Sequence, residues 1–260
     1  MEREPTSENS TPVSLKTGPD GLAAGFILGE LDPLRYDGHI LDADEIVGII
    51  AKLISPNDRV LDVGCGTGSV ARLLADACQA RIVGIEPDEV RAAMAASRGL
   101  DVHVGCLSSD LIQRIGQFDV VLFADVLEHL PNPYSELVRA REALRPRGRV
   151  ILSVPNVAHW SVRVDILRGR FRYQSSGIMD ATHLRWFTAD GIRSLVTSAG
   201  FEVTYYRAAA GTRLGDNIWR RPFSWLPQTT RTAVLRSASR YWPTLFGCQH
   251  VVRGELALKR

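Results

Sequence analysis

Short apolar segments rich in β-branched residues alternate with segments of helical periodicity in the middle of the chain. The predicted strands cover residues 59–63, 81–85, 102–104, 119–123 and 149–154, and the predicted helices between them cover residues 70–78, 89–97 and 134–144. Nearly continuous apolar strands that alternate with helices are typical of a parallel sheet with both faces covered. The sequence therefore predicts a doubly wound α/β fold.

The length and composition of the chain favour one domain. With 260 residues, 45% of them hydrophobic, the chain can bury one large core, and residues 21–260 are predicted to form that domain. Residues 1–20 are rich in Ser, Thr, Pro and Glu, which predicts a disordered tail. Apolar residues at helical spacing predict a further helix over residues 41–54, with Asp42 as its N-cap.

Two insertions interrupt the alternation after the fifth predicted strand. They cover residues 155–187 and 207–249, and the elements around them are a helix over 189–198 and strands over 201–206 and 250–258. All five tryptophans lie after the fifth strand, so the insertions carry much of the aromatic surface. The insertions are predicted to roof a binding pocket.

The segment VLDVGCGTG at residues 60–68 places a strand directly before a glycine-rich turn. Its three glycines let the backbone turn tightly and come close to a ligand, because a Cβ at those positions would be in the way. The GxGxG spacing departs from the GxGxxG of dinucleotide sites, where a glycine would stand in place of Ser69. Asp62 would also repel a pyrophosphate, so a cationic nucleoside ligand is predicted.

Glu86 stands at the end of the second predicted strand, eighteen positions after Gly68. An ionised carboxylate at an exposed strand tip can accept hydrogen bonds from both ribose hydroxyls of a nucleoside. The alternative is an acid that caps the following helix. Because the glycine turn and the acid occur together at this separation, the ribose role is the one predicted.

The chain resembles the class I S-adenosylmethionine (SAM) dependent methyltransferases in four segments, which occur in the family order: VLDVGCGTG, VGIEPD, FDVVLFADVLEHL and LRPRGRVILSVPN. The resemblance covers about residues 36–206. The segments ADVLEHL and SVPN are most similar to ubiquinone-type O-methyltransferases and to methyltransferases of bacterial glycan and secondary-metabolite pathways. The resemblance implies a Rossmann-like, seven-stranded, mostly parallel sheet with an antiparallel last strand, and SAM as the cofactor.

The resemblance also implies which residues surround SAM. They are Asp62, Gly64, Cys65, Gly66, Gly68, Glu86, Cys106, Leu107, Ala124 and Asp125. Asp62 and the turn at Gly64 would hold the methionine part, and Cys106 and Leu107 would flank the adenine. Many relatives carry Asp where Cys106 stands, so this chain departs from the family pattern at the adenine amine.

Methyl transfer from a sulfonium is an in-line displacement, and it needs a general base only where the acceptor must lose a proton. Two histidines are candidates for that role. His183, three residues after Asp180 in the first insertion, is the predicted base, and Asp180 is predicted to orient it. His129, after the fourth strand, is the alternative. The competing structural roles are a backbone contact for His129 and a bridge between insertion and core for His183.

Three residues after the fourth strand match a metal-binding trio of similar enzymes. In ubiquinone-type relatives, two acids and a histidine at the positions of Asp125, Glu128 and His129 can hold a divalent metal, and oxygen-rich ligation would suit Mg²⁺. Most similar proteins with the LEHL segment need no metal. No metal is therefore expected in this chain.

Charge and cysteine usage limit the partners and the compartment. The net charge of +2 does not favour a nucleic-acid-binding surface. Residues 207–260, however, hold ten basic and two acidic side chains beside Trp219, Phe223, Trp225 and Trp242. This cap could bind a phosphate on the acceptor, contact anionic lipid at a membrane surface, or form an ordinary lid. The four cysteines form no CxxC pattern and the N-terminus has no signal-peptide core, which predicts a soluble, cytoplasmic protein.

The predicted function is methylation of an oxygen on a small molecule, such as a sugar, a quinol or a lipid-linked intermediate. N-methylation of an amino sugar or another amine is the nearest alternative. An NAD-dependent oxidoreductase is disfavoured by the GxGxG spacing. A non-catalytic SAM-binding protein is a further alternative, which a turnover assay distinguishes.

Overall fold

Seven strands form one sheet in the computed structural model, which describes residue 34, residues 37–212 and residues 227–257. The strands are β1 (Arg59–Val63), β2 (Arg81–Glu86), β3 (Asp101–Val104), β4 (Phe118–Ala124), β5 (Leu144–Pro155), β6 (Phe201–Ala209) and β7 (Gln249–Leu256). Their order is β3-β2-β1-β4-β5-β7-β6. β7 runs antiparallel to both neighbours, whereas the other adjacent pairs are parallel. The predicted seven-stranded sheet with an antiparallel last strand is confirmed.

Nine helices in the described ranges flank the sheet. They are α1 (Ile46–Ala51), α2 (Ser69–Cys78), α3 (Glu89–Ser97), α4 (Ser109–Ile115), α5 (Pro133–Ala143), α6 (Trp160–Leu167), α7 (Ala189–Ser198), α8 (Gln228–Tyr241) and α9 (Pro243–Phe246), with a single 3-10 turn at Leu127–His129. The bounds of α3 and α7 match the prediction, because the side chains of Asp88 and Thr188 cap their first turns. The sequence does not predict α4, α6, α8 or α9. α6, for example, buries only Val162 and so has no apolar stripe to detect.

The sheet separates two apolar cores. β1 contributes Leu61 and Val63 to one core and Val60 to the other, and β4 contributes Phe123 to the first and Leu122 to the second. Successive side chains of a strand point to opposite faces, so both faces of these strands are buried. This burial explains why the central strands read as nearly continuous apolar segments.

The N-terminal helix is shorter than predicted, and its predicted cap is wrong. α1 begins at Ile46, and Glu45 occupies its N-cap position. A Cβ on Gly48 would lie 1.8 Å from the Asp42 carbonyl oxygen, so the preceding chain folds back across the helix instead of extending it. The Asp42 carboxylate instead pairs with Arg236 in the second insertion, with 2.5 Å between the charged atoms.

Both insertions contain regular structure. α6 lies within the first insertion, and α8 and α9 lie within the second. β6 ends at Ala209 and β7 begins at Gln249, so both strands extend into the range predicted for the second insertion. None of the helices in the described ranges is long and apolar enough to cross a membrane. The predictions that fall outside the described residues concern the tail over residues 1–20 and the cap residues Trp219, Phe223 and Trp225.

Candidate active site

A cavity of about 680 Å³ opens at the carboxyl ends of β1, β2 and β4, and we call it the central cavity. Its walls are the glycine turn after β1, the end of β2, the loops after β3 and β4, and part of the first insertion between residues 177 and 183. The chain order reverses between β1 and β4. Open α/β sheets bind ligands at such a switch point, because the loops on either side diverge and leave a crevice.

The three glycines of the turn serve two different purposes. All have positive φ angles, of 73° at Gly64, 55° at Gly66 and 77° at Gly68. A Cβ on Gly64 would lie 2.9 Å from the side chain of Val126, and one on Gly68 would lie 2.5 Å from Leu100, so packing requires glycine at both positions. A Cβ on Gly66 would meet no atom within 4 Å, and Gly66 lines the central cavity. Gly66 therefore keeps space open for a ligand.

Glu86 reaches the glycine turn from the end of β2. Its Oε2 accepts the N–H of Gly66 at 2.8 Å, and its Oε1 accepts the N–H of Asp88 at 3.1 Å. The expected exposed position is wrong, because Glu86 is 5% exposed and these two backbone contacts hold it in place. A carboxylate has about four acceptor positions, so lone pairs stay available toward the cavity, where a ribose would bind.

Asp62 lies behind the glycine turn with both carboxylate oxygens buried and without a hydrogen-bond partner among the described residues. Burial, and after it the charge of Glu86, raises the pKa of Asp62 to about 7. An unpaired buried carboxylate is costly, and a nearby positive charge lowers that cost. The sulfonium and ammonium groups of SAM carry such charges, so this part of the chain fits SAM and would repel a pyrophosphate.

Most residues predicted to surround the cofactor do meet at one place. Those that line the central cavity are Gly64, Cys65, Gly66, Glu86, Cys106, Leu107, Ala124 and Asp125. Asp62 and Gly68 do not contribute to its wall, since one lies behind the turn and the other packs against α3 and the loop that follows it. The individual roles at SAM stay predictions.

Asp125 closes the cavity on the side of β4 in a strained backbone conformation. Its φ is 55°, in the left-handed region that non-glycine residues rarely adopt. Ser153 donates to Oδ1 at 2.7 Å and Gln249 donates to Oδ2 at 2.6 Å, so strands β5 and β7 fix the carboxylate. Burial raises the pKa of Asp125, although these hydrogen bonds oppose the rise. Strain of this kind occurs where a site needs a side chain in one position.

A short segment before α1 also reaches the cavity, and the sequence does not predict it. Asp37 and His39 line the cavity. The Asp37 carboxylate accepts hydrogen bonds from the Thr67 hydroxyl and the Arg98 guanidinium. Burial alone would raise the pKa of Asp37, but these partners outweigh it and lower the pKa. The contacts join residues 30 and 61 positions apart, so no local pattern could reveal them.

Two histidines lie together in the central cavity, one after β4 and one in the first insertion. The rings of His129 and His183 meet edge to face, with centroids 4.9 Å apart. Nδ1 of His129 lies 3.2 Å from the carbonyl oxygen of Thr182, and Nδ1 of His183 lies 3.0 Å from that of Ile178. A carbonyl can only accept, so each Nδ1 carries a proton, and in the neutral form of either ring the lone pair is on Nε2. Burial, and then His183, lowers the pKa of His129, which keeps that ring neutral at pH 7.

Asp180 contacts the histidine pair through Thr182. Its Oδ1 accepts the backbone N–H of Thr182 at 2.8 Å and the Thr182 hydroxyl at 2.7 Å. The same hydroxyl oxygen lies 3.2 Å from Nδ1 of His129. Asp180 thus supports the loop that holds His129, whereas the Ile178 carbonyl stands at Nδ1 of His183. The predicted orientation of His183 by Asp180 stays a prediction.

Glu128 completes this end of the cavity with a second buried carboxylate. Both of its oxygens lack a hydrogen-bond partner among the described residues. Burial, and then the charge of Asp125, raises its pKa well above the usual range. Its backbone carbonyl accepts the N–H groups of Leu184 and Arg185 at 2.8 and 3.0 Å, which ties the His183 segment to the loop after β4.

The side chains that could hold a metal ion differ from the trio of similar enzymes. Glu128, His129 and His183 offer ligand atoms that lie within 4.8 Å of one another. Asp125 is instead occupied by its two side-chain donors. Two imidazoles and one carboxylate suit a divalent transition metal better than Mg²⁺, and the Nδ1 contacts to carbonyls resemble those of metal-bound histidines.

The chain is similar in sequence to known methyltransferases. A family model described as a methyltransferase domain matches residues 39–206. The chain is 32% identical over 135 residues to a ubiquinone biosynthesis O-methyltransferase of Aromatoleum aromaticum, a match that covers 50% of this chain and 53% of that protein. The chain thus spans about half the length of that relative.

Solved structures show the same fold at low identity. A SAM-dependent methyltransferase of Thermotoga maritima, described as a possible histamine N-methyltransferase, has a TM-score of 0.52 at 20% identity over 80% of this chain and 86% of that one. A SAM-dependent methyltransferase of Archaeoglobus fulgidus has a TM-score of 0.51 at 14% identity over 81% and 94%. Because the family model covers more than half of the chain, the chain belongs to the methyltransferase-domain family, and its fold is that of class I SAM-dependent methyltransferases.

Proposed function

We propose that the enzyme transfers the methyl group of SAM to a hydroxyl oxygen of a small molecule such as a quinol, a sugar or a lipid-linked intermediate. The observation that carries the proposal is the pair of imidazoles in the central cavity. Their Nδ1 atoms face carbonyl oxygens, so the neutral form of each ring has its lone pair on Nε2. A hydroxyl must lose its proton when its oxygen is methylated, and a neutral imidazole is suited to take it. The name of the Aromatoleum aromaticum relative supports an oxygen acceptor.

In this mechanism the acceptor oxygen attacks the methyl carbon in line with the carbon–sulfur bond. When bound, SAM would supply an activated methyl group: its C–S bond would break, with the electrons left on sulfur, as an oxygen lone pair of the acceptor forms the new O–C bond. The hydroxyl proton moves to Nε2 of His183. The protein supplies position and exclusion of water: the glycine turn and Glu86 would hold the cofactor, and the buried wall around Ile178 would hold the acceptor.

N-methylation is the second candidate, and a specific feature favours it. Glu128 is a buried carboxylate without a partner among the described residues, and it lines the same cavity, where it could bind an ammonium group. The Thermotoga maritima protein is described as acting on an amine, histamine. A bound ammonium group has no lone pair, so it would first pass one proton to the Glu128 carboxylate, whose raised pKa suits that role. The neutral amine could then attack without His183.

His183→Ala tests the base directly. We expect turnover on a catechol acceptor to fall by roughly 10²–10⁴-fold, with SAM affinity nearly unchanged, because the imidazole acts on the acceptor and not on the cofactor. His129→Ala identifies the alternative base, and His103→Ala is a control, since His103 lies on β3 away from the cavity wall. Full turnover in His183→Ala across the pH range, or methylation of amines alone, would contradict the proposal.

The same assay tests the expectation that no metal is needed. We expect turnover to survive treatment with EDTA. If EDTA abolishes turnover and Mn²⁺ restores it in the wild type but not in Glu128→Gln, the cluster of Glu128, His129 and His183 is a metal site. A divalent ion held by those residues would act as a Lewis acid on the acceptor oxygen.

A further inference from the structure

A second cavity of about 780 Å³ lies in the first insertion, and we call it the insertion cavity. It is formed by α6 and by the chain that follows α6 up to Met179. Ile178 lines both this cavity and the central cavity, so the two share a wall. The carbonyl oxygen of the same residue accepts a hydrogen bond from Nδ1 of His183. The site described above makes no use of the insertion cavity.

The insertion cavity is cationic. Arg168, Arg170 and Arg172 line it, against a single carboxylate, that of Asp165. All three arginines are exposed, and none of them has an ion-pair partner among the residues that the structure describes. Three like charges within five positions repel one another unless an anion lies between them. Guanidinium groups bind phosphate oxygens with paired hydrogen bonds, so a phosphate is the anion that this set suits best.

Large apolar side chains stand next to these arginines in the sequence. Ile166 and Phe171 line the cavity and are each 51% exposed, and Leu167 between them is 86% exposed. Solvated arginines that only kept the surface soluble would not require large apolar neighbours in contact with water. The combination suits a phosphate group attached to an apolar molecule.

We propose that the insertion cavity binds a phosphate or diphosphate group carried by an apolar ligand, and that this ligand is the methyl acceptor. The second half of the proposal rests on the proposed function, because its structural support is that the two cavities are adjacent, on either side of Ile178. Such a ligand would have its hydroxyl at the histidine pair and its phosphate beside α6.

Binding of inorganic pyrophosphate, measured by calorimetry, tests the anion site without any methyl transfer. We expect the wild type to bind it and the triple variant Arg168→Gln, Arg170→Gln, Arg172→Gln to bind it at least tenfold more weakly. A matched triple variant removes the same charge from outside both cavities, at the exposed residues Arg81, Arg114 and Arg147. This control variant should bind pyrophosphate with an affinity within about threefold of the wild type. The loss of affinity in the first variant would then come from the insertion cavity and not from the lower net charge.

Vesicle sedimentation distinguishes the two sources of the phosphate. Retention on phosphatidylglycerol but not on phosphatidylcholine vesicles, lost in the Arg168, Arg170, Arg172 variant, would support the site and identify a lipid headgroup as the ligand. Pyrophosphate binding without retention would support the site and identify a soluble phosphate ester. Absence of both, or equal losses in the two triple variants, would overturn the proposal. If pyrophosphate binds but no hydroxyl acceptor is methylated, the proposed function fails while the anion site stands.

Discussion

Asp62 and Glu86 are two neighbouring buried carboxylates at the glycine turn, and they differ in their hydrogen bonds. Glu86 has two backbone donors, whereas Asp62 has none among the described residues. The pKa of Asp62 is therefore raised to about 7, chiefly by burial. Near neutral pH this carboxyl group is partly protonated before a cation binds, and it ionises more readily once the cation is present.

SAM affinity should therefore depend on pH through Asp62. Ionised Asp62 attracts the sulfonium, so affinity should rise between pH 5 and 7, by at most tenfold per pH unit, and level off above the pKa. Without ligand the sign is opposite: the folded state binds more protons than the unfolded state between about pH 4 and 7, so stability falls as pH rises through this window. Calorimetry at pH 5.5, 6.5 and 7.5 measures the effect, and Asp62→Asn should remove it. A wild-type affinity that is flat over this range would contradict the assignment.

The glycines of the turn after β1 are needed for different reasons, two for packing and one for the space that it leaves in the cavity. Gly64 and Gly68 are required by packing against Val126 and Leu100, but the Cβ position of Gly66 faces open space in the cavity wall. Substitution at Gly64 or Gly68 would thus disturb the fold, which would hide any effect on the ligand. Gly66 is the position where a binding effect can be measured separately.

Gly66→Ala should give a folded protein that binds SAM at least tenfold more weakly, because the added methyl group occupies cofactor space. The matched control is Gly169→Ala. Gly169 has a φ of 67° and no atom within 4 Å of its Cβ position, and it lines neither cavity. Both variants should lose about 1–2 kcal/mol of stability from the left-handed backbone, and only Gly66→Ala should lose SAM affinity. Equal SAM affinities in the two variants would show that Gly66 is not at the cofactor.

Across the whole molecule, ion pairs join the start of the described chain to distant elements. Arg98 on the loop after α3 pairs with Asp37, Arg207 on β6 pairs with Asp44, and Arg236 on α8 pairs with Asp42. Two of the arginines that the sequence assigns to a phosphate- or lipid-binding cap are thus used within the protein. Asp37 lines the central cavity next to the glycine turn, whereas neither Asp42 nor Arg236 lines it.

Because of this difference, we expect the Asp37 ion pair to affect SAM affinity and the Asp42 ion pair to affect only the thermal stability of the protein. Arg98→Gln should weaken SAM binding by about three- to tenfold, because the segment at Asp37 loses a tie to the glycine turn. Arg236→Gln should lower Tm slightly and leave SAM affinity unchanged, since a partly exposed pair contributes up to about 1 kcal/mol. Thermal unfolding with and without SAM measures both effects. Identical SAM affinities in the two variants would mean that Asp37 does not close the site.

Prediction from sequence succeeded where the signal was local. α3 and α7 were found with their bounds because each combines a capping side chain with helical spacing, and residues 59–63 were found because a buried strand is apolar on both faces. The prediction that Asp42 caps the first helix is wrong. A polar residue before an apolar stretch is typical of an N-cap, but the sequence does not show that Arg236, 194 residues away, pairs with this carboxylate. The sequence also did not predict α6 and α8, whose burial depends on partners distant in sequence.

The sequence by itself determined the doubly wound sheet and the position of the glycine turn, because strand burial and the GxGxG spacing are properties of consecutive residues. Only the tertiary structure decided which ionisable groups meet. The first insertion folds back onto the loop after β4, and three features depend on this path. They are the contact between His129 and His183, the burial of Glu128 without a hydrogen-bond partner for its carboxylate among the described residues, and the position of Ile178 between two cavities. That path is set by contacts such as Leu184 N–H to Glu128 carbonyl, between residues 56 positions apart, and contacts at that separation leave no periodic pattern in the sequence.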